Sequence, residues 1–345
     1  MDEEQVTLAA RVTPDPYGNA THQTVGIVDA DAILSSVDND CRHGRTSRLL
    51  RSTAFNSTTL YAADHVLEEI YRKLPKIAAS SPVPLADLRT RFDTRYLPVM
   101  RFITMSPDDE PHPRVLAISH LADRPTGQLA LLIAPVIVFS GDKHLKGPGF
   151  APPNWRAAAA HTAAVAEAAL QERATGAALI LPIAGLWSGS GALGRRLGAP
   201  RWLSGTGLVA LLSLGAYRLL HDPARGATTK EVGGKFVMAF LGLMAEQSRL
   251  KLAGLTGISN IIFAPTPGET SLRQRVAIVL ARSSEALLTT EVHQLIVHNF
   301  VDEPASTLAE VRNALTDGSE FVSVDRYRWQ FGRVAAPSTG QYQYQ

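Results

Sequence analysis

The stretch from Val115 to Phe150 reads VLAISHLADRPTGQLALLIAPVIVFSGDKHLKGPGF and contains two acids in informative positions. Asp123 precedes an Arg-Pro pair, and apolar residues then recur at helical spacing from Leu129 to Ile133, so Asp123 is expected at the start of a helix. The run Val136–Phe139 predicts a short buried strand. The run ends in Ser140-Gly141-Asp142, so Asp142 lies just beyond the strand, at the edge of an open α/β sheet where functional sites are built.

Another acid stands in the same position after an earlier strand. Val25–Val28 is a short apolar run that predicts a buried strand, and Asp29 follows it at the start of a helical pattern that includes Asp31. Asp29 taken alone has a simpler interpretation as a helix N-cap. Taken with Asp142 it indicates a site, because the carboxyl ends of parallel strands meet at one edge of a sheet.

A further acid lies on a helix predicted over Thr59 to Leu74, which Pro75 is expected to end. Glu69 stands beside the apolar stripe of this helix and is expected to point toward the sheet, with Glu68 as the alternative. His65 is expected at the surface or its boundary. The alternation of strands and helices predicts an α/β fold with a parallel sheet.

Asp29, Glu69, Asp123 and Asp142 are expected to converge on one cleft. Carboxylates that lie close together repel one another and have raised pKa values unless a cation neutralises them. Oxygen ligands without a His or Cys cluster favour Mg²⁺ or Mn²⁺ over zinc. Such an ion activates water and stabilises a phosphate under attack, which is the chemistry of phosphodiester hydrolysis. Ser140 is expected to hold Asp142 or a metal-bound water by a hydrogen bond.

Residues 25–150 resemble a PIN domain, the metal-dependent nuclease fold of many toxins and RNA-processing enzymes. The matching segments, in order along the chain, are VGIVDADAIL, HVLEEIYRKL, DRPTGQLALL and VIVFSGDKHL. The resemblance implies a three-layer α/β/α sandwich with a parallel central sheet, and Mg²⁺ or Mn²⁺ bound by the four acids. The family often has Asn two residues after the first acid, where this chain has Asp31 and therefore more negative charge.

Residues 151–270 form a helical segment that a PIN domain does not need. It contains two apolar stretches, 176–193 and 203–220, that are just long enough to span a membrane as a helical hairpin. Pro182 and the mixed positions of the basic residues favour the alternative, in which apolar helices pack against each other or against a partner chain. The chain is expected in the cytoplasm, attached to the inner face of the cell membrane if the hairpin forms.

Residues 271–333 predict three helices followed by a β-hairpin, a pattern that resembles a winged helix-turn-helix. In that fold the third helix enters a groove of DNA, with Arg312 and Asn313 placed to contact bases. Arg326 and Arg328 on the hairpin would contact phosphates. The alternative is a module that binds another protein.

The composition sets broad limits on these interpretations. The chain has 345 residues, 45 % of them hydrophobic, so it can bury a sizeable core. A net charge of +2 is too small to indicate nucleic-acid binding by itself. The single Cys41 excludes an internal disulfide and a cysteine zinc site. Residues 1–24, which do not resemble a secretory signal, and residues 334–345 are expected to be flexible.

The leading hypothesis from the sequence is a Mg²⁺- or Mn²⁺-dependent nuclease that cuts RNA, with the C-terminal module selecting a DNA or protein target. The preference for RNA rests on the resemblance alone, and a related phosphatase or DNA nuclease is a second enzymatic interpretation. The alternative from another class is a catalytically silent scaffold or regulator that binds DNA or protein. A homo-oligomer is compatible with either.

Overall fold

The computed structural model describes residues 24–105, 111–170, 242, 245–246, 248–264 and 270–337. The chain divides into two compact units, one built from residues 1–167 with 253–345 and the other from 168–252. The sheets, the cores and the candidate site described below belong to the first unit, while residues 168–170 and 248–252 belong to the second. The apolar stretches 176–193 and 203–220 lie outside the described residues, as do residues 1–23 and 338–345. Within the described part of the chain, no helix has the length and apolar character needed to cross a membrane.

A parallel sheet of four strands forms the centre of the first unit. Its strands are β1 (Thr24–Val28), β2 (Thr58–Ala63), β3 (Met100–Ile103) and β4 (Ile137–Phe139). Their order in the sheet is β3-β2-β1-β4, and every neighbouring pair is parallel. The predicted α/β class with a parallel sheet is confirmed at this level.

Helices follow the strands in alternation along the chain. They are α1 (Ala30–His43), α2 (Arg48–Ser52), α3 (Asp64–Ser80), α4 (Leu85–Arg91), α5 (Pro113–Leu116), α6 (Arg124–Leu132), α7 (Lys143–Lys146), α8 (155–170), α9 (248–259), α10 (Leu272–Ala281), α11 (Thr289–Asn299) and α12 (Leu308–Asp317). A second sheet is antiparallel, with the order β5-β7-β6. Its strands are β5 (Leu287–Leu288), β6 (Phe321–Ser323) and β7 (Arg328–Phe331).

The two faces of the parallel sheet bury separate sets of apolar side chains, because successive residues of a strand point to opposite faces. Val28 and Leu60 lie in a core with side chains of α1, α3, α4 and the start of α8. Ile27 and Tyr61 lie in a second core with side chains of α6 and of α10 to α12. Helices therefore flank the sheet on both faces.

The helix predicted over residues 59–74 is wrong at both ends. Residues 58–63 form strand β2, which pairs with β1 on one side and β3 on the other, so the pairing overrides the helical spacing of its apolar residues. Pro75 does not end α3, which continues to Ser80. The proline removes one helical hydrogen bond, but Ile77 and Ala78 beyond it still pack against the core.

The C-terminal residues form the three helices and the hairpin that the sequence predicts. Thr307 is the N-cap of α12 and forms a capping box with Glu310. The short strand β5 adds a third strand to the hairpin. The likeness of these three helices and the hairpin to a winged helix-turn-helix stays a prediction.

These C-terminal elements share a core with the parallel sheet. The Tyr61 hydroxyl donates to the carbonyl of Ala281 at 2.9 Å, and the Tyr61 and Phe331 rings meet edge to face with centroids 5.2 Å apart. Arg333 exchanges two backbone hydrogen bonds with Phe102 of β3. Residues 253–345 thus belong to the same compact unit as the sheet, while the domain boundaries expected from the sequence stay predictions.

Replacing Phe331 with alanine tests this shared core. Phe331 is fully buried between Tyr61 and Phe321, so the cavity left by Phe331→Ala should lower the free energy of unfolding by about 3–5 kcal/mol. The control is Tyr327→Ala, in the exposed hairpin turn. Urea unfolding should show one transition by circular dichroism and by tryptophan fluorescence. Separate transitions for the two signals would mean that the C-terminal elements unfold on their own.

Candidate active site

Two of the predicted site acids lie at the carboxyl edge of the sheet, and both cap helices. Asp29 follows β1, and its Oδ1 accepts a hydrogen bond from the Ala30 amide at 2.8 Å. Asp142 follows β4 by three residues, and its Oδ1 accepts from the His144 amide at 2.7 Å. The interpretation of Asp29 as a helix N-cap is therefore correct. Because β1 and β4 are neighbours in the sheet, the two acids follow adjacent strands.

Ser140 connects these two acids. Its hydroxyl donates to Asp29 Oδ2 at 2.7 Å and accepts from the Asp142 amide at 3.0 Å. Asp31 joins the same network, because its Oδ2 accepts from the Gly141 amide at 2.7 Å. The loop after β4 is thereby held against the start of α1 by side chains that the sequence singled out as supporting residues.

The carboxyl group of Asp29 is in an unfavourable position for a negative charge. Burial is the largest cause that raises its pKa, the charge of Asp31 adds to the effect, and the result is a pKa of about 7. Hydrogen bonds from Ser140 and Ala30 lower the pKa by less than burial raises it. Burial also raises the pKa of Asp31, to which the charge of Asp142 contributes. The edge of the sheet therefore holds several acids whose ionisation is mutually unfavourable.

Glu69 reaches this edge from α3, whose first residue follows β2. It is half-buried and forms an ion pair with Lys73, one turn further along the helix. Its charge also raises the pKa of Asp29, which places the two carboxylates within electrostatic range. Glu68 is exposed. The choice of Glu69 over Glu68 as the residue that turns toward the sheet agrees with this exposure.

Asp123 precedes α6 and is buried. Its side chain makes no capping hydrogen bond, and its Oδ2 receives no hydrogen bond from any residue that the structure describes. His120 Nδ1 lies 3.2 Å from that oxygen but without the geometry of a hydrogen bond. A buried carboxylate oxygen without a donor is costly unless something else compensates its charge.

His65 belongs to the same region, although the sequence suggested a surface or boundary residue. Both of its ring nitrogens are buried and lack a hydrogen-bond partner among the described residues. Burial lowers its pKa, while the charges of Glu69 and Asp123 act to raise it. One signal was available in the sequence, because His65 and Glu69 are four residues apart and so share a helix face.

The donor set suits a hard divalent cation in chemistry but is not preformed in geometry. All four predicted ligands offer carboxylate oxygens, the ligands that Mg²⁺ and Mn²⁺ prefer. Asp123 Oδ2 lacks a hydrogen-bond donor among the described residues, and the pKa of Asp29 is raised, so a cation would stabilise the ionised form of both carboxyl groups. However, among the residues that the structure describes, no three His, Cys, Asp or Glu side chains are already grouped as metal ligands.

The residues predicted to contact nucleic acid lie on exposed surface of the C-terminal elements. Arg312 and Asn313 are exposed on α12. Arg326 and Arg328 are exposed at the hairpin turn, where Arg326 lies over the Tyr327 ring and Arg328 lies 3.9 Å from Asp325. Their exposure is compatible with a binding role, which stays a prediction.

The pH dependence of stability should report the buried Asp29. The folded protein keeps a proton on this carboxyl up to about pH 7, whereas the unfolded chain releases it near 3.8. The folded state therefore binds more protons between these values, and stability should fall as the pH rises through that window, by up to about 4 kcal/mol. Urea titrations of the metal-free protein from pH 4 to 8.5 measure the slope.

The matched variants for that titration are Asp29→Asn and Asp317→Asn. Asparagine keeps the cap on α1 but does not ionise, so Asp29→Asn should flatten the decline and raise stability at pH 8. Asp317 is exposed on α12, and its substitution should leave the decline unchanged. An unchanged slope in Asp29→Asn would show that this carboxyl ionises normally in the folded protein.

Comparisons with known proteins do not assign the chain to a family. No family model matches it, and neither the curated proteins nor the solved structures gave a match. The function has to be inferred from the arrangement of side chains.

Proposed function

We propose that the protein is a Mg²⁺- or Mn²⁺-dependent nuclease that hydrolyses phosphodiester bonds, with RNA as its substrate. The observation that carries this proposal is the group of buried acids at the carboxyl edge of the sheet, where Asp29 is held next to Asp31 and is tied through Ser140 to Asp142. Buried acids with perturbed pKa values are characteristic of functional sites. The preference for RNA comes from the resemblance to PIN domains.

Asp29, Glu69, Asp123 and Asp142 are the residues that would hold the ion. When bound, the ion would supply a water of lowered pKa and would compensate the negative charge of the phosphate. Asp31 would keep the loop after β4 in place by accepting from the Gly141 amide, and Ser140 would do so by accepting from the Asp142 amide. His65 would present a neutral ring between Glu69 and Asp123, because burial lowers its pKa.

The C-terminal elements would contribute target selection rather than chemistry. Their exposed residues Arg312, Asn313, Arg326 and Arg328 are the candidates for contacts with DNA, RNA or a protein. Because these elements share a core with the sheet, they would present any bound target in a fixed relation to the acids.

A catalytically silent scaffold is the second candidate. The observation that favours it is the lack, among the described residues, of three side chains already arranged as metal ligands. In that case Asp29 and Asp142 would serve as helix caps, and the protein would act through its exposed C-terminal surface. The two candidates differ in metal binding and in cleavage.

Cleavage of labelled single-stranded RNA in the presence of Mn²⁺ should depend on Asp142. Asn at this position can still cap α7 but is a weaker ligand for a divalent cation, so Asp142→Asn should reduce the rate about 100-fold or more while preserving the fold. Asp317→Asn is the matched control on exposed surface, and EDTA should abolish cleavage. Cleavage by Asp142→Asn at the wild-type rate would remove this residue from the site, and no cleavage by any protein would favour the scaffold.

Metal binding should also be detectable as a pH-dependent stabilisation. An ion at the site must displace the proton that Asp29 holds below about pH 7. Millimolar Mn²⁺ should therefore raise the melting temperature of the wild type more at pH 8 than at pH 5.5, and should raise that of Asp29→Asn by less. Equal stabilisation at both pH values, or in both proteins, would mean that Mn²⁺ binds elsewhere.

A further inference from the structure

Two histidine rings stand beside the acids and are not used by the hydrolytic chemistry. The rings of His120 and His144 are stacked, with centroids 5.7 Å apart and planes inclined by 26°. His120 comes three residues before Asp123, and His144 comes two residues after Asp142. These two rings are here called the histidine platform. The ring of His120 lies next to Asp123, and the backbone amide of His144 donates to Asp142.

Local contacts hold each ring in place. His144 Nδ1 is 2.5 Å from the Ser119 hydroxyl, and His120 Nδ1 lies 3.2 Å from Asp123 Oδ2. The side chain of His120 is nevertheless 59 % exposed, so one face of the platform is open to solvent. A pair of aromatic rings that is held in position but open on one side is suited to stacking on a flat ligand.

The chain segment that carries the platform is basic, although the guanidinium groups of Arg114 and Arg124 already donate to backbone carbonyls. Residues 111–149 contain four Lys or Arg residues and two acids, and both acids are the proposed metal ligands. The basic residues are Arg114, Arg124, Lys143 and Lys146. Leu121, next to His120 in the chain, is 67 % exposed. Basic groups together with exposed aromatic and apolar side chains are the elements that bind single-stranded nucleic acid.

We propose that the histidine platform stacks one unpaired nucleobase next to the scissile phosphate and so positions that base of the strand. This inference rests on the proposed nuclease function and deepens it. In a duplex the faces of the bases are covered by their neighbours, so a side chain can stack only on a base that is unpaired or splayed out. The basic residues would hold the backbone, and the platform would place one base of the strand.

The test is binding of a fluorescent single-stranded RNA measured by anisotropy, in EDTA and at pH 8. EDTA prevents metal-dependent cleavage, so that binding alone is measured. The double variant His120→Ala with His144→Ala should lose affinity by about 5-fold or more. His120→Phe keeps an aromatic face and should bind nearly as the wild type does. His298→Ala, which removes an exposed histidine of α11, is the control and should bind normally.

Two further ligands separate stacking from contacts with phosphate. A duplex of the same sequence and a single strand without bases should each bind the double alanine variant and the wild type equally. An equal loss for the strand without bases would mean that the histidines contact the backbone, which overturns the inference. So would wild-type affinity of the double variant for the intact strand, or an absence of single-strand binding by the wild type.

The outcome is independent of the outcome for the nuclease. If the wild type cleaves RNA and the alanine variant binds it normally, the platform proposal fails and the nuclease stands. If no protein cleaves but stacking is observed, the nuclease fails and the surface remains a nucleic-acid binding site. Melting temperatures of all variants are measured beside the binding, because His144 contacts Ser119 and His120 lies next to Asp123. His120→Phe, which keeps a ring at this position, separates a loss of stacking from a loss of the fold.

Discussion

The burial of a carboxyl group at the end of strand β1 is the constraint on which the site depends. Asp29 is 5 % exposed, and its two oxygens are bound by the Ala30 amide and the Ser140 hydroxyl. Ser140 can donate only one proton, so it satisfies Asp29 and receives the Asp142 amide in return. The loop after β4 is therefore positioned by the need to compensate a buried acid in the neighbouring strand. A protein that required only two helix caps could place them at the surface.

The C-terminal elements pack on the face of the parallel sheet opposite to α1, α3 and α4, and they contact the segments that carry the acids. The guanidinium of Arg282, at the end of α10, donates to the carbonyls of Ile133 and Pro135, which precede β4. At the other edge, Arg333 donates to Asp64, directly before His65 on α3. Residues far apart in the sequence thus contact both the segment that precedes β4, which leads to Ser140, and the helix that carries Glu69. Loss of either contact would change the support of the acids without changing the acids themselves.

The parts of this arrangement that depend on local sequence could be predicted, and those that depend on pairing could not. Apolar runs with an acid at or just beyond their end predict β1 with Asp29 and β4 with Asp142, because burial and capping both leave a local pattern. The residues of β2 read as the start of an amphipathic helix, because only their pairing with β1 and β3 makes them a strand. The histidine platform has no sequence signal, since His120 and His144 are 24 residues apart and belong to different elements.

The shared core of the C-terminal elements and the sheet could not be predicted from the sequence either, because its contacts join residues far apart in the chain. Tyr61 and Phe331 are separated by 270 positions, and each is an unremarkable aromatic residue in its own segment. A module of three helices and a hairpin also has an apolar interior of its own, so nothing in residues 271–333 requires a second surface to cover. The requirement comes from the parallel sheet, whose second face is covered by α6 together with α10 to α12.

The pKa of Asp29 connects the two candidate functions physically. The pKa of Asp29 is about 7 because its negative charge is unfavourable in a buried position. That charge can be neutralised either by a proton or by a bound cation. A scaffold would need only the proton, and then Asp31, Glu69 and Asp142 around it would be an unexplained source of repulsion. The charges of Asp31 and Glu69 both raise the pKa of Asp29, and a divalent cation would relieve the same repulsion. This repulsion is the physical reason for proposing a ligand set rather than a set of helix caps.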